Sequence, residues 1–365
     1  MIGHSETTAK PMPTHLLSYA GYAMRVPVWC GQLLTGAKSF GDNPIIGSRR
    51  FNEWGLHVAR LKVAHRLAAK RRVRLAALVT AEDRTAFDRD GFIVKRDFLP
   101  AVQFQALVAQ VKDYRGHARE MVQGDTITRR IALDPLALEQ MPMVGALVRL
   151  PRWSGLIRYV NSSAAQPLYY IQSILTHVGG SVPDPQTYLH ADTFQPTVKA
   201  WLFLTDVAPD AAPLTYVRGS HRLSRRRLAW ERRMSLDARR ASDFLTRRGS
   251  FRIRVEELGS LGLPPPHAFA VRANTLVVAD TFGFHARGPS TRPAHRVEIW
   301  AYGRRSPFLP WAGLDFWNIG SLGHWRVPLF WRIADMFERL GIKRNVWRRC
   351  SPRSAFAPET PSADR

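Results

Sequence analysis

Tyr188-Leu-His190-Ala-Asp192, followed by Val198-Lys-Ala-Trp-Leu-Phe-Leu-Thr-Asp-Val207, is the stretch on which the fold turns. It reads as a turn that carries ligands and then a buried strand. In an extended segment, residues two apart point to the same side, so His190 and Asp192 can reach one cation. A second histidine would complete a 2-His-1-carboxylate face, the arrangement that leaves positions of Fe(II) open. The triplet alone is weak, because a loop histidine beside a capping aspartate looks the same.

The partner lies downstream. Ala273-Asn-Thr-Leu-Val-Val-Ala-Asp-Thr-Phe-Gly-Phe-His285 and Arg296-Val-Glu-Ile-Trp-Ala-Tyr302 are two apolar, strand-like runs on either side of a Gly/Pro/Ser loop. His285 ends the first strand. Arg296 opens the second, eleven residues on, where a guanidinium can grip a carboxylate whose other end chelates the metal.

These residues carry a family resemblance. His190-x-Asp192, the strand ending Thr205-Asp206-Val-Ala-Pro, the turn Val217-Arg-Gly-Ser-His221, His285 and Arg296 stand in the order of the signatures of the phytanoyl-CoA dioxygenase (PhyH) family, and Asp88-Arg-Asp-Gly-Phe-Ile-Val-Lys-Arg-Asp-Phe-Leu-Pro100 is similar to the segment that opens its domain. The resemblance covers about residues 80–305. It implies a mainly β fold with flanking helices, a double-stranded β-helix (jelly-roll, cupin-like), with Fe(II), 2-oxoglutarate as co-substrate, and O2. On that reading His190, Asp192 and His285 hold the metal and carry catalysis, and Arg296 binds 2-oxoglutarate. Lys199, two positions before Trp201 and on the same face, is either a second contact to the co-substrate or an ordinary exposed lysine. Asp192 stands where the related halogenases have Ala or Gly, which favours hydroxylation. Ala191 replaces a frequent Gln, and Arg218 replaces the Pro that commonly precedes the turn glycine. His221 reads as a structural histidine of that turn.

The 365 residues hold 53 Lys+Arg against 29 Asp+Glu, a net charge of +24. Such an excess implies anionic company: membrane head groups, nucleic acid or a charged substrate. Cys30 and Cys350 form no disulfide framework, which suits a reducing cytosol. No apolar run is long enough for a transmembrane helix, and the N-terminus has no signal-peptide pattern, so the expected location is cytoplasmic, or peripheral at a membrane.

Along the chain, residues 1–79 read as a basic, partly helical extension. Its first 43 residues look irregular, and His4-Ser5-Glu6 lacks the strand and partners that would make it a ligand pair. Ser48 caps a helix over about 50–78, with Trp54, Val58, Leu61, His65 and Leu67 on one face. Its basic residues read first as a solvated face, otherwise as a membrane or nucleic-acid contact. Residues 80–307 are the expected oxygenase domain, with a helix at 81–88, a strand from 91, a helix over 100–121 and two short helices split by Pro135 and Pro142. Strand candidates over 156–177 centre on Leu168–Leu175, and 179–185 is a loop by composition. An insertion at 222–258, with Arg pairs every seven or eight residues, is expected near the site mouth.

The 308–350 extension is rich in Trp and Arg. Pro328 suits a helix start, and Phe330, Ile333, Phe337 and Leu340 recur at helical spacing up to Gly341. That face either packs on the domain or lies in a membrane interface. Residues 351–365 read as a disordered tail. Three readings follow: a hydroxylase of a small-molecule or lipid-linked, anionic substrate, a non-catalytic binding module on the same fold, and a nucleic-acid-directed oxygenase.

Overall fold

A computed structural model describes residues 14–179, 184–313, 318–319 and 322–358. The apolar run after Asp192 forms β5 (Val198–Phe203), an interior strand of an eight-stranded antiparallel sheet. From one edge the order is β1 (Phe92–Lys95), β8 (Leu276–Asp280), β5, β10 (His295–Gly303), β4 (Leu168–Thr176), β3 (Thr126–Ala132), β2 (Ala118–Gln123) and β11 (Arg348–Arg349). A second sheet, in the order β7 (His267–Ala268), β6 (Leu214–Tyr216), β9 (His285–Arg287), covers one face of the first. The two sheets make the double-stranded β-helix.

Strand alternation sorts the side chains of the large sheet. Leu202, Val278, Ile299 and Ile171 point outward into a core roofed by α5 (Ala101–Asp113), α6 (Pro135–Gln140), α7 (Pro142–Arg149) and α8 (Pro151–Asn161). Trp201, Trp300 and Tyr170, opposite one another across β5, β10 and β4, point inward toward Leu214 and Tyr216 of the small sheet. A one-residue slip of any strand would exchange these two sets, so burial on both faces fixes the register. Each fully buried aliphatic side chain contributes about 1.5–3 kcal/mol.

The N-terminal region departs from its reading. Thr14–Leu33 is a helix, α1, rather than irregular. The expected helix over 50–78 is broken: Ser48 caps α2 (Arg49–Glu53), Gly55 takes a left-handed φ of 96°, and α3 (Leu56–Leu75) restarts beyond it. Trp54 is exposed, and the buried stripe runs instead through His57, Leu61, Ala64 and Ala68. Arg60 and Arg71 are buried too, not solvated. Arg60 donates to the carbonyls of Leu33, Thr35 and Ala37 and so holds the extension to itself, whereas Arg71 donates to those of Ser162, Pro307 and Leu309 and ties the extension to the rest of the chain. His4, Ser5 and Glu6 lie outside the described residues, as do 180–183 of the expected loop and Trp317.

Inside the domain, α4 (Ala81–Asp90) and β1 fall where expected. The helix after Pro100 ends at Asp113, and 118–123 forms β2, which pairs antiparallel with β3 from Ala118 opposite Ile131 to Gln123 opposite Thr126. Residues 151–161 are helical, with Pro151 at the first turn. The tail is packed as far as Pro358: Ala355 is buried and accepts from Ser173 Oγ, while Arg129 donates to the carbonyls of Ala357 and Pro358.

Candidate metal and co-substrate site

His190 and His285 are brought together by their backbones. His190 N donates to His285 O and His285 N to His190 O, both at 3.0 Å, a closed pair that sets both imidazoles on one side with ring centroids 4.5 Å apart. The segment carrying Asp192 is held on both flanks. Ala191 N donates to Phe251 O and Asp192 N to Thr281 O, each at 2.9 Å. The basic insertion thereby supplies the backing of the triplet, through Phe251 and the neighbouring Ser250 Oγ, which donates to Ala191 O. Its helix α9 (Arg225–Asp237) buries Arg227 against Glu231 and the rings of Phe282 and Phe284, so that arginine is structural rather than substrate-facing. Helix α10 (Phe244–Arg247) completes the insertion.

The three side chains converge: one ligand atom from each of His190, Asp192 and His285 lies within 4.8 Å of the others. Asp192 Oδ1 is 3.6 Å from both His190 Nε2 and His285 Nε2. Each Nδ1 is tied to a carbonyl two residues back, His190 to Tyr188 O at 2.8 Å and His285 to Gly283 O at 3.0 Å. An Nδ1–H donated to a carbonyl leaves the Nε2 lone pair free to bind a metal. Burial lowers the His285 imidazole to about 3, so it is neutral, as a ligand must be. Burial would raise the Asp192 carboxyl, but the Lys199 ammonium, then His285 and His190, hold it well below the usual carboxylate range. Its Oδ2 is buried and, although 2.7 Å from Lys199 Nζ, accepts no well-aligned hydrogen bond. Two aligned imidazoles facing the Oδ1 of a deprotonated carboxylate fit a divalent cation.

Lys199 therefore faces inward, with Nζ also 3.4 Å from His285 Nε2. Arg296, at the start of β10, lines the same cavity of about 300 Å³. There its Nε donates to Glu298 Oε2 at 2.8 Å and its Nη1 to Ala212 O. His221 is buried next to Phe87 with its Nδ1 unpaired, away from the triad. A larger cleft of about 690 Å³, between Leu138, Arg158 and His324, contains none of the triad.

Several groups at the site escaped the sequence reading. Arg130 on β3 lines the cavity with its guanidinium 4.2 Å from the Trp300 ring and 4.6 Å from that of Trp347. Its Nε donates to Gln172 Oε1 at 2.8 Å, Gln172 Nε2 donates to the buried Glu298 at 2.6 Å, and Glu298 closes the row on Arg296. Arg287, paired with Asp184, is a further cation of the wall. Lys38, far upstream, donates its ammonium to Asp192 O and is lowered by burial to about 8. Only strand alternation on β3 hinted at any of these, and β3 was itself missed.

The family model described as phytanoyl-CoA dioxygenase (PhyH) matches residues 87–249. This segment is similar to the phytanoyl-CoA dioxygenase family. The PhyH match includes His190 and Asp192 and stops short of His285 and Arg296, which the fold brings to them. The match over that segment, together with the converging His190, Asp192 and His285, points to an enzyme that uses Fe(II), 2-oxoglutarate and O2. Among solved structures the chain is similar to SnoN, a non-heme α-ketoglutarate-dependent epimerase from nogalamycin biosynthesis, at 21% identity over 63% of this chain and 84% of that one, with a TM-score of 0.43. It is also similar to HygX from Streptomyces hygroscopicus with nickel and 2-oxoglutarate bound (17% identity, 62% and 87% covered, TM-score 0.40). AviO1 from Streptomyces viridochromogenes Tue57 is a third (18% identity, 62% and 95% covered, TM-score 0.37). No curated protein matches.

Proposed function

We propose that the chain is an Fe(II)- and 2-oxoglutarate-dependent hydroxylase of an anionic small-molecule or lipid-linked substrate, working in the cytoplasm or at the surface of an anionic membrane. The convergence of His190, Asp192 and His285 carries this reading. These three side chains would hold the iron on one face. Bound Fe(II), with 2-oxoglutarate and O2, supplies an oxidative decarboxylation that releases succinate and CO2 and oxidises a C–H bond.

The protein's own groups do the rest. Arg296, in contact with Glu298 and Ala212 O, takes the distal carboxylate of 2-oxoglutarate. Lys199, beside Asp192, offsets charge where the co-substrate's keto acid end must lie. Trp201, Trp300 and Leu214 line the cavity and limit water. The wall carries Arg130, Lys199, Arg287 and Arg296 against the single carboxylate of Asp192. Arg287 is matched by Asp184 and Arg296 by Glu298, whereas Arg130 makes no ion pair among the described residues. Burial lowers that guanidinium to about 10, which leaves it cationic at neutral pH. A half-buried, unmatched cation calls for an anionic substrate group.

Anaerobic titration of the purified chain with Fe(II) and 2-oxoglutarate, followed by exposure to O2 and succinate measurement, tests the proposal. Wild type binds both and releases succinate, Asp192→Ala loses iron, and Arg296→Ala loses co-substrate affinity. Folded protein that binds neither ends the hydroxylase reading.

A further inference from the structure

The helix after the domain is not packed as its sequence first suggests. α11 runs Leu322–Arg339 and contains Pro328, where a start was expected. Val327 and Trp331 are its buried side chains, against the inner-face cluster with Tyr170 and Trp300. Phe330, Ile333, Phe337 and Leu340, expected either in the core or at an interface, face solvent, with Phe330 61% and Leu340 64% exposed. Leu329 and Met336 join them, giving a continuous outer stripe at helical spacing.

We propose that this outer face of α11 docks the protein on an anionic phospholipid surface. The charges on the helix divide by side. Asp335 is taken up by Arg119 and Arg349, and Glu338 by Arg348 and the amide of Asn345. The exposed charges bordering the apolar stripe are Arg332, Arg339, Lys343 and Arg344, all cations. Apolar side chains flanked by cations, with the acids turned inward, match a bilayer of negative head groups: the rings and aliphatic chains enter the acyl boundary and the cations stay at phosphate level. A second copy of the chain is a poorer occupant, since pairing like faces would oppose the same cations. No helix among the described residues is long and apolar enough to cross a membrane, so the helix would lie in the surface plane.

The geometry ties docking to the cavity. Beyond Gly341 the exposed chain continues through Ile342 and Val346 to Trp347, which lines the cavity of the triad. Docking so places that wall at the head-group layer. In naming where the substrate is met, the proposal rests on the hydroxylase reading, while the docking itself does not.

Co-sedimentation of the full chain with phosphatidylcholine vesicles and with equal mixtures of phosphatidylcholine and phosphatidylglycerol tests it. Wild type pellets with the mixed vesicles only, less so as salt rises. The double variant Phe330→Glu/Ile333→Glu, which alters exposed positions alone, binds them at least about tenfold more weakly and keeps its Fe(II) and 2-oxoglutarate titrations. Three results overturn the proposal: wild type left in the supernatant with anionic vesicles, undiminished pelleting of the double variant, or a lipid-free wild-type dimer that the double variant splits. The parallel titrations separate failure of docking from failure of the hydroxylase reading.

Discussion

His190 and His285 are each other's backbone partners, with two reciprocal hydrogen bonds of 3.0 Å joining residues 95 positions apart in sequence. The metal face is thus built by strand pairing, and side-chain rotamers only complete it. Whatever disturbs the local backbone of either histidine moves a candidate ligand.

Gly283 is the tightest point of that backbone. A Cβ there would come within 1.8 Å of Tyr216 Oη, which is itself buried and donates to Asp280 O, and the Gly283 carbonyl orients His285. Gly283→Ala is expected to lose about 3 kcal/mol or more of stability and to weaken Fe(II) binding further than stability alone explains. Urea unfolding and anaerobic metal titration of the same preparation would check both.

Arg130 is expected to select charge in the substrate. With iron and 2-oxoglutarate bound, benzoate or phenyl phosphate should bind more tightly than benzyl alcohol. Arg130→Gln should cost the anions about tenfold to a hundredfold while 2-oxoglutarate affinity holds. Arg130→Lys should recover part of the loss, because the charge returns without the planar stack on Trp300 and Trp347. Equal loss of the neutral probe in Arg130→Gln would make the residue a packing element only.

Acid should destabilise the protein through buried neutral histidines. His221 is lowered by burial to about 3, with Arg72 and Arg222 adding to the effect, and burial also holds His65 well below its ordinary value. Both are neutral in folded and unfolded chains above the unfolded value of 6.5; below it the unfolded chain takes up protons that the folded chain refuses. Stability is therefore complete above about pH 6.5 and falls by about 1.4 kcal/mol per pH unit for each such group as the pH drops. Urea midpoints at a series of pH values should show this slope, and His221→Asn should reduce it by one proton.

What could be read from sequence was what local pattern encodes. β5 and β10 announced themselves by apolar runs, and His190, Asp192, His285 and Arg296 by order and spacing. The strand β3 did not: Thr-Ile-Thr-Arg-Arg-Ile-Ala places two arginines where a core strand should be apolar, and only pairing with β4 shows that Arg129 is satisfied by Glu120 and Arg130 by Gln172 and aromatic rings. Arg60 and Arg71 were misread for the same reason. Their partners are carbonyls hundreds of residues away or behind a turn, and no periodicity reports them. The face of α11 was visible as a stripe, but a stripe does not say which side the domain takes.

Glu298 gives the sharpest separation of structure from chemistry. Fully buried, it accepts from Gln172 and Arg296 and makes one ion pair in the middle of a polar row. Glu298→Gln leaves the Arg296 guanidinium buried without its carboxylate, a change that costs about 3–5 kcal/mol. Yet Arg296 would also be released from a competing anion, so 2-oxoglutarate binding should not weaken in whatever fraction stays folded. Denaturation with and without saturating 2-oxoglutarate measures both effects: the variant should unfold earlier alone and gain more from the ligand than wild type does. If the ligand stabilises the variant less than wild type, then Glu298 positions Arg296 rather than competing for it, and the guanidinium needs its ion pair to meet the co-substrate.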